Sequence, residues 1–499
     1  MAVTQFVKHK NCKDFLNSQI LSMHLMMEKY SPYIGGKFKA TDQTFSVKNP
    51  FSNEILAEIY LAGKAELEEA IIMAQKVEDE LKYLPSHKKY SILMDIAQKM
   101  KEQRNLLAKT LCIEAAKPIK YAYSEVARAI QTFIVAAEES KRLPSEYIQI
   151  DWTPAGNGKE GIVRYFPIGL VAGISPFNFP LNLTVHKIAP AIAAGCPIIL
   201  KPARSTPLSA LLLAKIIDST ELPKGALSVL PMDRESGNQL VTDERFALLT
   251  FTGSHQVGWN MKNQAGKKRV VLELGGNAGV IITETADLDK AIPKCVSGAF
   301  AYSGQVCIHT QRIYVHESIY NEFITRFIMQ TSNLKHGDPL DASTDISSMI
   351  DEENAIRIEQ WVNEAVKGDA KLICGGNRDG AYYNPTVITN TKKEMKVCSQ
   401  EVFGPVVVIE SYNSLNEAVS LINSSEYGLQ AGIFTNKLDE QNYAFNEIKA
   451  GGVIINDVPT FRVDHMPYGG IKNSGFGREG VKYAMLDMLE PKLMVRDCL

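Results

Sequence analysis

A chain of 499 residues is long enough for two or three segments that each bury a core. Its formal net charge of −2 gives no basic surplus, which argues against nucleic acid or an anionic membrane as main partner. No apolar run reaches the roughly 18 residues that span a bilayer. Eight cysteines without a Cys-x-x-Cys pair argue against both a disulfide framework and a zinc site, so no metal is expected and a reducing cytoplasm is. Residues 1–13 carry Lys8, Lys10 and Lys13 but no continuous apolar stretch, so a secretory leader is not expected.

In chain order, residues 12–30 read as a short amphipathic helix packed on the surface. From Lys64 to Arg142 the apolar spacing is helical, with few breakers. Tyr147 to Tyr165 alternates like a β segment, as does the tail Leu489 to Val495, and either is compatible with an edge hairpin. Between Gly161 and Gly276, short β-rich runs (Leu170 to Ile174, Pro197 to Leu200, Leu227 to Leu230, Ala247 to Phe251, Val270 to Leu274) alternate with helical stretches. That alternation predicts βαβ units and a parallel sheet with ligands at the carboxyl ends of its strands. A second αβ series runs from near Gly279 to about Asp464. The expected fold class is therefore α/β, with two doubly wound parallel sheets.

Three segments carry chemistry. Cys307 lies in Phe300-Ala301-Tyr302-Ser303-Gly304-Gln305-Val306-Cys307-Ile308, among small uncharged neighbours that let a thiol face a pocket. Asn178 lies in Pro176-Phe177-Asn178-Phe179-Pro180, and Glu273 in Leu272-Glu273-Leu274-Gly275-Gly276. Singly, these residues have ordinary readings: a buried small hydrophobe, a turn asparagine, a strand-end charge. Together, a thiol nucleophile, a carboxamide donor and a carboxylate base are the minimum set for acyl chemistry through a thioester. Cys307 belongs to the second series and Asn178 to the first, which implies a site in the cleft between them. None of the nine histidines sits in a motif that makes it the base, and His309 is expected to pack beside the site.

If the thioester arises by oxidation of an aldehyde, a hydride acceptor is needed as well, and no flavin or metal motif is present to receive it. Gly-x-Gly-x-x-Gly is missing; instead Thr252-Gly253-Ser254 follows a strand, where Gly253 removes a side chain and Ser254 can cap the next helix, whose N-terminus can meet a phosphate. Lys201, at the end of the apolar strand Cys196 to Leu200, reads on its own as a solvated strand-end lysine; beside the flanking motifs it would be placed to bond ribose hydroxyls.

With Leu200-Lys201-Pro202, Phe251-Thr252-Gly253-Ser254, Glu401-Val402-Phe403-Gly404-Pro405 and Pro467-Tyr468-Gly469-Gly470-Ile471-Lys472, the three segments resemble the aldehyde dehydrogenase superfamily from about Tyr33 to the C-terminus. The resemblance implies a Rossmann-like cofactor domain (1–143 and 166–276), a catalytic domain (277–465) and a β oligomerisation arm (144–165 and 485–499), with a homodimer or homotetramer as the assembly. It implies NAD or NADP held by Ile174, Ser175, Pro176, Phe177, Lys201, Arg204, Gly253, Ser254, Glu401 and Phe403, the last two at the nicotinamide end. It implies catalysis by Cys307, with the oxyanion held by Asn178 and the Cys307 backbone N–H, and with Glu273 activating water.

Two positions bear on specificity. Members that strongly prefer NAD usually carry a Glu three residues after the lysine, whereas Arg204 stands here and would attract a 2′-phosphate. Arg462 occupies the loop that lines the family's aldehyde tunnel, and the Phe461-Arg462-Val463-Asp464 pattern resembles branches that oxidise small polar or anionic aldehydes, such as lactaldehyde, succinate semialdehyde, glyceraldehyde 3-phosphate and phosphonoacetaldehyde. The alternative is that Arg462 pairs with Asp464 or Asp457 and braces the loop. His186 is expected to line the same tunnel. Rival readings are a coenzyme-A-acylating enzyme, against which Glu273 argues, a cofactor-free cysteine hydrolase, which leaves Lys201, Glu401 and Phe403 unexplained, and a non-catalytic protein.

Overall fold

The computed structural model describes residues 29–498; the helix expected over residues 12–30 lies almost wholly outside them. The helical stretch after Lys64 is four helices, Lys64–Tyr83, Ser86–Glu102, Arg104–Ala115 and Ile119–Glu139. Ile119–Glu139 buries Ala122, Val126, Ala129, Phe133 and Ala136, a three-to-four-residue stripe. That stripe packs on the helix Asn182–Ala194, every residue of which is buried. Gly195 ends this second helix in the left-handed conformation (φ 89°) that glycine adopts most cheaply.

An eight-stranded sheet is built around five parallel strands: Arg269–Glu273, Leu248–Thr252, Val171–Ile174, Ile198–Lys201 and Leu227–Val229, in that spatial order. Each coincides, within a residue or two, with a run expected from the alternation. The chain starts in the middle strand, Val171–Ile174, winds outward to one side and returns to the other. The order therefore reverses between Val171–Ile174 and Leu248–Thr252, where the two crossovers diverge and leave a crevice at the carboxyl ends. Ile174, Thr252 and Glu273 stand at those ends.

The second sheet has seven strands, in the order Lys371–Cys374, Thr386–Thr389, Val406–Tyr412, Thr310–His316, Ala278–Ile282, Gln430–Phe434 and Gly452–Ile455, all parallel except the first. Cys307 precedes Thr310–His316, at the amino end of its strand. The site therefore joins the carboxyl end of one sheet to the amino end of the other.

The alternating segment, split into Ser145–Gln149 and Lys159–Pro167, and the tail, Leu489–Asp497, form a separate antiparallel sheet. It carries exposed Tyr147, Leu493, Met494 and Val495. Among the described residues, no helix is long and apolar enough to cross a membrane.

Candidate active site

A cavity of about 560 Å³ opens at the crevice. Its walls include Ile174, Ser175, Pro176, Phe177 and Asn178 from one strand end, Gly253 and Ser254 from the next, Glu273 from the third, and Cys307, Glu401 and Phe403 from the second sheet's side. Eleven of the residues singled out in the sequence thus share one cavity. Lys201, Arg204, Arg462 and His186 do not line it.

Close backbone approach is what the Gly275-Gly276 pair permits. A Cβ on Gly275 would collide with the Glu401 carboxylate, and one on Gly276 with the Cys307 carbonyl. Gly253 likewise leaves room for the Phe251 ring. Ser254 occupies the N-cap of His255–Gln264, but its side chain makes no capping bond, a correction to the expected role. The helix's first N–H groups are left free for a ligand.

The turn ahead of the nucleophile is strained. Tyr302, Ser303 and Gly304 have φ of 51°, 53° and 67°, a left-handed run that costs about 1–3 kcal/mol for each non-glycine residue. Long-range bonds hold it: the Tyr302 hydroxyl donates to Ala115 O (3.2 Å), Ser303 Oγ to Ser347 O (2.7 Å), and the Ile350 N–H to Gln305 Oε1 (3.0 Å).

Asn178 is buried, and its Nδ2 donates to Gln305 O at 2.9 Å, so the carboxamide reaches the nucleophile's own loop. Its carbonyl accepts from Lys117 Nζ (2.6 Å). Lys117, fully buried, pairs with Glu125 and lies over the rings of Phe179 and Tyr302. Glu125 Oε1 in turn accepts from the Leu181 and Asn182 N–H groups at 3.0 and 3.1 Å. This clamp was missed in the sequence: Lys117 lies in the loop before Ile119–Glu139 and Glu125 on that helix, where other charges such as Lys120 and Arg128 give the pair no distinguishing signal.

The Cys307 thiol is half-buried, with the Tyr468 hydroxyl 3.1 Å from Sγ. Burial pushes the thiol up to about 11, against the Tyr468 hydrogen bond and the Arg462 charge. Glu273 is 3 % exposed, lies against Gly469 (φ +153°), and has no hydrogen-bond partner on either oxygen. Burial, reinforced by the nearby Glu479 charge, pushes it well above the carboxylate range. Glu401 is also raised by burial, to about 7, but accepts the Gly276 N–H at 3.0 Å. Phe403, with φ 49°, sets its ring edge-on to Phe177 at 5.8 Å.

Behind Cys307 is a buried ionic cluster. The Arg462 side chain is 6 % exposed; its Nη2 pairs with Glu479 at 3.0 Å, and its guanidinium stacks on the Tyr468 ring at 3.7 Å. The bracing pairs of the alternative reading, with Asp464 or Asp457, are absent, and Glu479 takes that place. Asp464 is instead taken by Arg128 (2.7 Å) and by His186 Nε2 (2.8 Å), and Asp457 by Lys294 (2.8 Å). His186 also comes within 3.5 Å of Arg462 Nη2. Lys187 donates to Thr252 Oγ1 (2.7 Å) and lies 3.5 Å from Glu479. Against the upward push of burial, Lys187, His186 and Arg462 hold Glu479 down to about 2. His309 is buried, its Nε2 without a partner.

Lys201 is half-buried against Gly237, and burial lowers it, opposed by Asp233. Arg204 is exposed and lies over the Phe45 ring at 4.8 Å, bordering a neighbouring groove.

Comparison with known proteins agrees with this geometry. The aldehyde dehydrogenase family matches residues 38–494. A 3-sulfolactaldehyde dehydrogenase of Priestia megaterium is 42% identical over 471 residues, covering 94% of this chain and 98% of that protein. The crystal structure of aldehyde dehydrogenase 21 from Physcomitrella patens, in complex with the reaction product succinate, superimposes with a TM-score of 0.93 at 46% identity, covering 95% of this chain and 99% of that one. Glyceraldehyde-3-phosphate dehydrogenase GapN from Methanocaldococcus jannaschii, complexed with NADP, gives 0.88 at 40% identity, covering 92% and 100%. The chain belongs to the aldehyde dehydrogenase family, as an NAD(P)-dependent enzyme.

Proposed function

We propose that the chain oxidises a small anionic aldehyde to its carboxylic acid through a thioester on Cys307. The sulfonate, carboxylate and phosphate implied by the three relatives' names share a negative charge remote from the aldehyde carbon. The observation that carries the reading is Arg462. It is a buried guanidinium one ring away from the thiol, with Nε lacking any partner. Arg128, 30 % exposed, offers a second cation beside it. A guanidinium suits a planar or tetrahedral anion through paired N–H donors.

The dinucleotide fits the cavity: the helix N-terminus at Ser254 suits a diphosphate, and Glu401 and Phe403 suit the nicotinamide end. When bound, NAD(P) supplies the hydride acceptor. Cys307 adds to the aldehyde carbon, and Asn178 Nδ2, exchanging Gln305 O for the substrate, donates to the developing oxyanion with the Cys307 N–H. Once hydride has left, Glu273 takes a proton from water, the hydroxide adds to the thioester, and the Cys307 thiolate departs with the acid formed. A carboxyl that is buried and unbonded is suited to this task because its raised pKa makes it a stronger base than a solvated carboxylate. The exposed apolar face of the Ser145–Gln149, Lys159–Pro167 and Leu489–Asp497 sheet suits pairing with a second copy, in a homodimer or homotetramer.

The test is NAD(P)H production on an aldehyde panel by wild type and Arg462→Ala. We expect the variant to raise KM for semialdehydes and phospho-aldehydes at least tenfold more than for propanal. Equal changes on all substrates would make Arg462 a packing residue and remove the anionic preference.

A further inference from the structure

The Tyr468 hydroxyl is the hydrogen-bond partner of Cys307 Sγ, at 3.1 Å. The ring has little freedom. Tyr468 is 3 % exposed, and its backbone exchanges two hydrogen bonds with Glu479, at 3.0 and 2.6 Å. Ile308 and Leu429 pack beside it, and the Arg462 guanidinium covers it at 3.7 Å.

The thiol's surroundings otherwise oppose ionisation. It is desolvated, and two of the charged groups facing it are the carboxylates Glu273 and Glu401; of the nearby cations, Arg462 is already paired with Glu479 and Lys187 lies behind Glu479. His186, on the same helix as Lys187, is committed to Asp464. The Asn178 carboxamide donates to Gln305 O. A thiolate accepts hydrogen bonds and donates none, so a phenol against it must be the donor.

We infer that Tyr468 is a catalytic residue: its hydroxyl donates to the Cys307 thiolate, favouring the nucleophile over the thiol and fixing Sγ for attack. The inference rests on the proposed role of Cys307. The phenol keeps its proton throughout, since burial and the neighbouring thiol hold its own ionisation well above the ordinary range.

The test is the pH dependence of iodoacetamide alkylation at Cys307, followed by mass spectrometry and by loss of activity, in wild type and Tyr468→Phe. We expect the phenylalanine variant to keep the ring stack and the alkylation rate at high pH, while its midpoint rises by about one unit. That is the tenfold loss of thiolate expected when one charge-assisted donor is removed. The first-turnover rate of NAD(P)H formation at neutral pH should fall about tenfold with it. A second arm replaces Tyr468 by 3-fluorotyrosine, a stronger donor, and should move the midpoint down. A midpoint unmoved in both proteins would overturn the inference while leaving Cys307 as nucleophile. Inactivation without labelling of Cys307 would overturn the nucleophile reading as well.

Discussion

The two sides of Cys307 are built from different materials. On the open side, turn backbone and apolar side chains (Ile174, Pro176, Phe177, Gly253, Phe403) make up much of the cavity wall, with polar groups such as Ser254, Arg357 and Glu401 set between them. On the closed side lie Arg128, His186, Lys187, Arg462, Asp464 and Glu479 in one connected network. Backbone N–H groups and ring faces suit a large ligand whose shape is constant, whereas buried ions discriminate by charge and cost several kcal/mol to desolvate. Under the proposed function, fixed recognition belongs to the open, cofactor side, and the closed side is where this chain would distinguish one aldehyde from another. The two carboxylates repeat the contrast. Glu401, facing the cofactor side, is tied to the Gly276 N–H; Glu273, next to the ionic cluster, is tied to nothing.

Replacing Glu273 tests the contrast most severely. Glu273→Gln keeps the shape and removes the base, so steady-state turnover should fall by about 10² to 10⁴, with one rapid burst of NAD(P)H per subunit retained. The pH dependence follows from the raised pKa. Below that pKa the carboxyl is protonated and accepts nothing, so wild-type hydrolysis should increase as pH rises through a range above the ordinary carboxylate value; the variant should lack this limb. A variant with neither burst nor turnover would move Glu273 to the addition step. Asn178→Ala should do the converse, slowing the burst itself by about 10² to 10³, the usual cost of one oxyanion donor. Stopped-flow measurement separates the two, and an unchanged burst would exclude Asn178 from the oxyanion site.

These differences follow what local sequence can encode. Strand runs and the turns after them are short-range patterns, so the five parallel strands and the residues at their carboxyl ends were readable. So was Cys307, because its neighbours are small and uncharged. Contacts between distant segments were not. Tyr468 stood in a recognised motif, but its approach to Cys307 spans 161 positions. Lys117 and Glu125 reach the Asn178 segment from the loop before Ile119–Glu139 and from that helix. Arg462 was marked by residue type, yet the acids weighed as its alternative partners were the nearest in sequence. The chain instead turns Asp464 towards Arg128 and His186, leaving Glu479, pinned to Tyr468 through the backbone, as the acid within reach.

The smallest expected effect concerns Arg204, which belongs to neither side as the chain stands. An exposed guanidinium over a ring gains about 0.5–1 kcal/mol, whereas a hydrogen bond to a charged group is worth about 1.5–3 kcal/mol. Contact with Phe45 is therefore weaker than a bidentate grip on a 2′-phosphate would be, and Arg204 lies close enough to Lys201 and Asp233 for its charge to act on both. Arg204→Ala should raise KM for NADP about tenfold, equivalent to about 1.4 kcal/mol, and leave KM for NAD unchanged. Phe45→Leu removes the ring while keeping most of its buried bulk, frees the arginine without removing it, and should leave NADP binding intact or slightly tighter. If Arg204→Ala instead shifts both cofactors equally, or neither, the arginine is a surface residue resting on Phe45, and cofactor choice rests on the cavity wall.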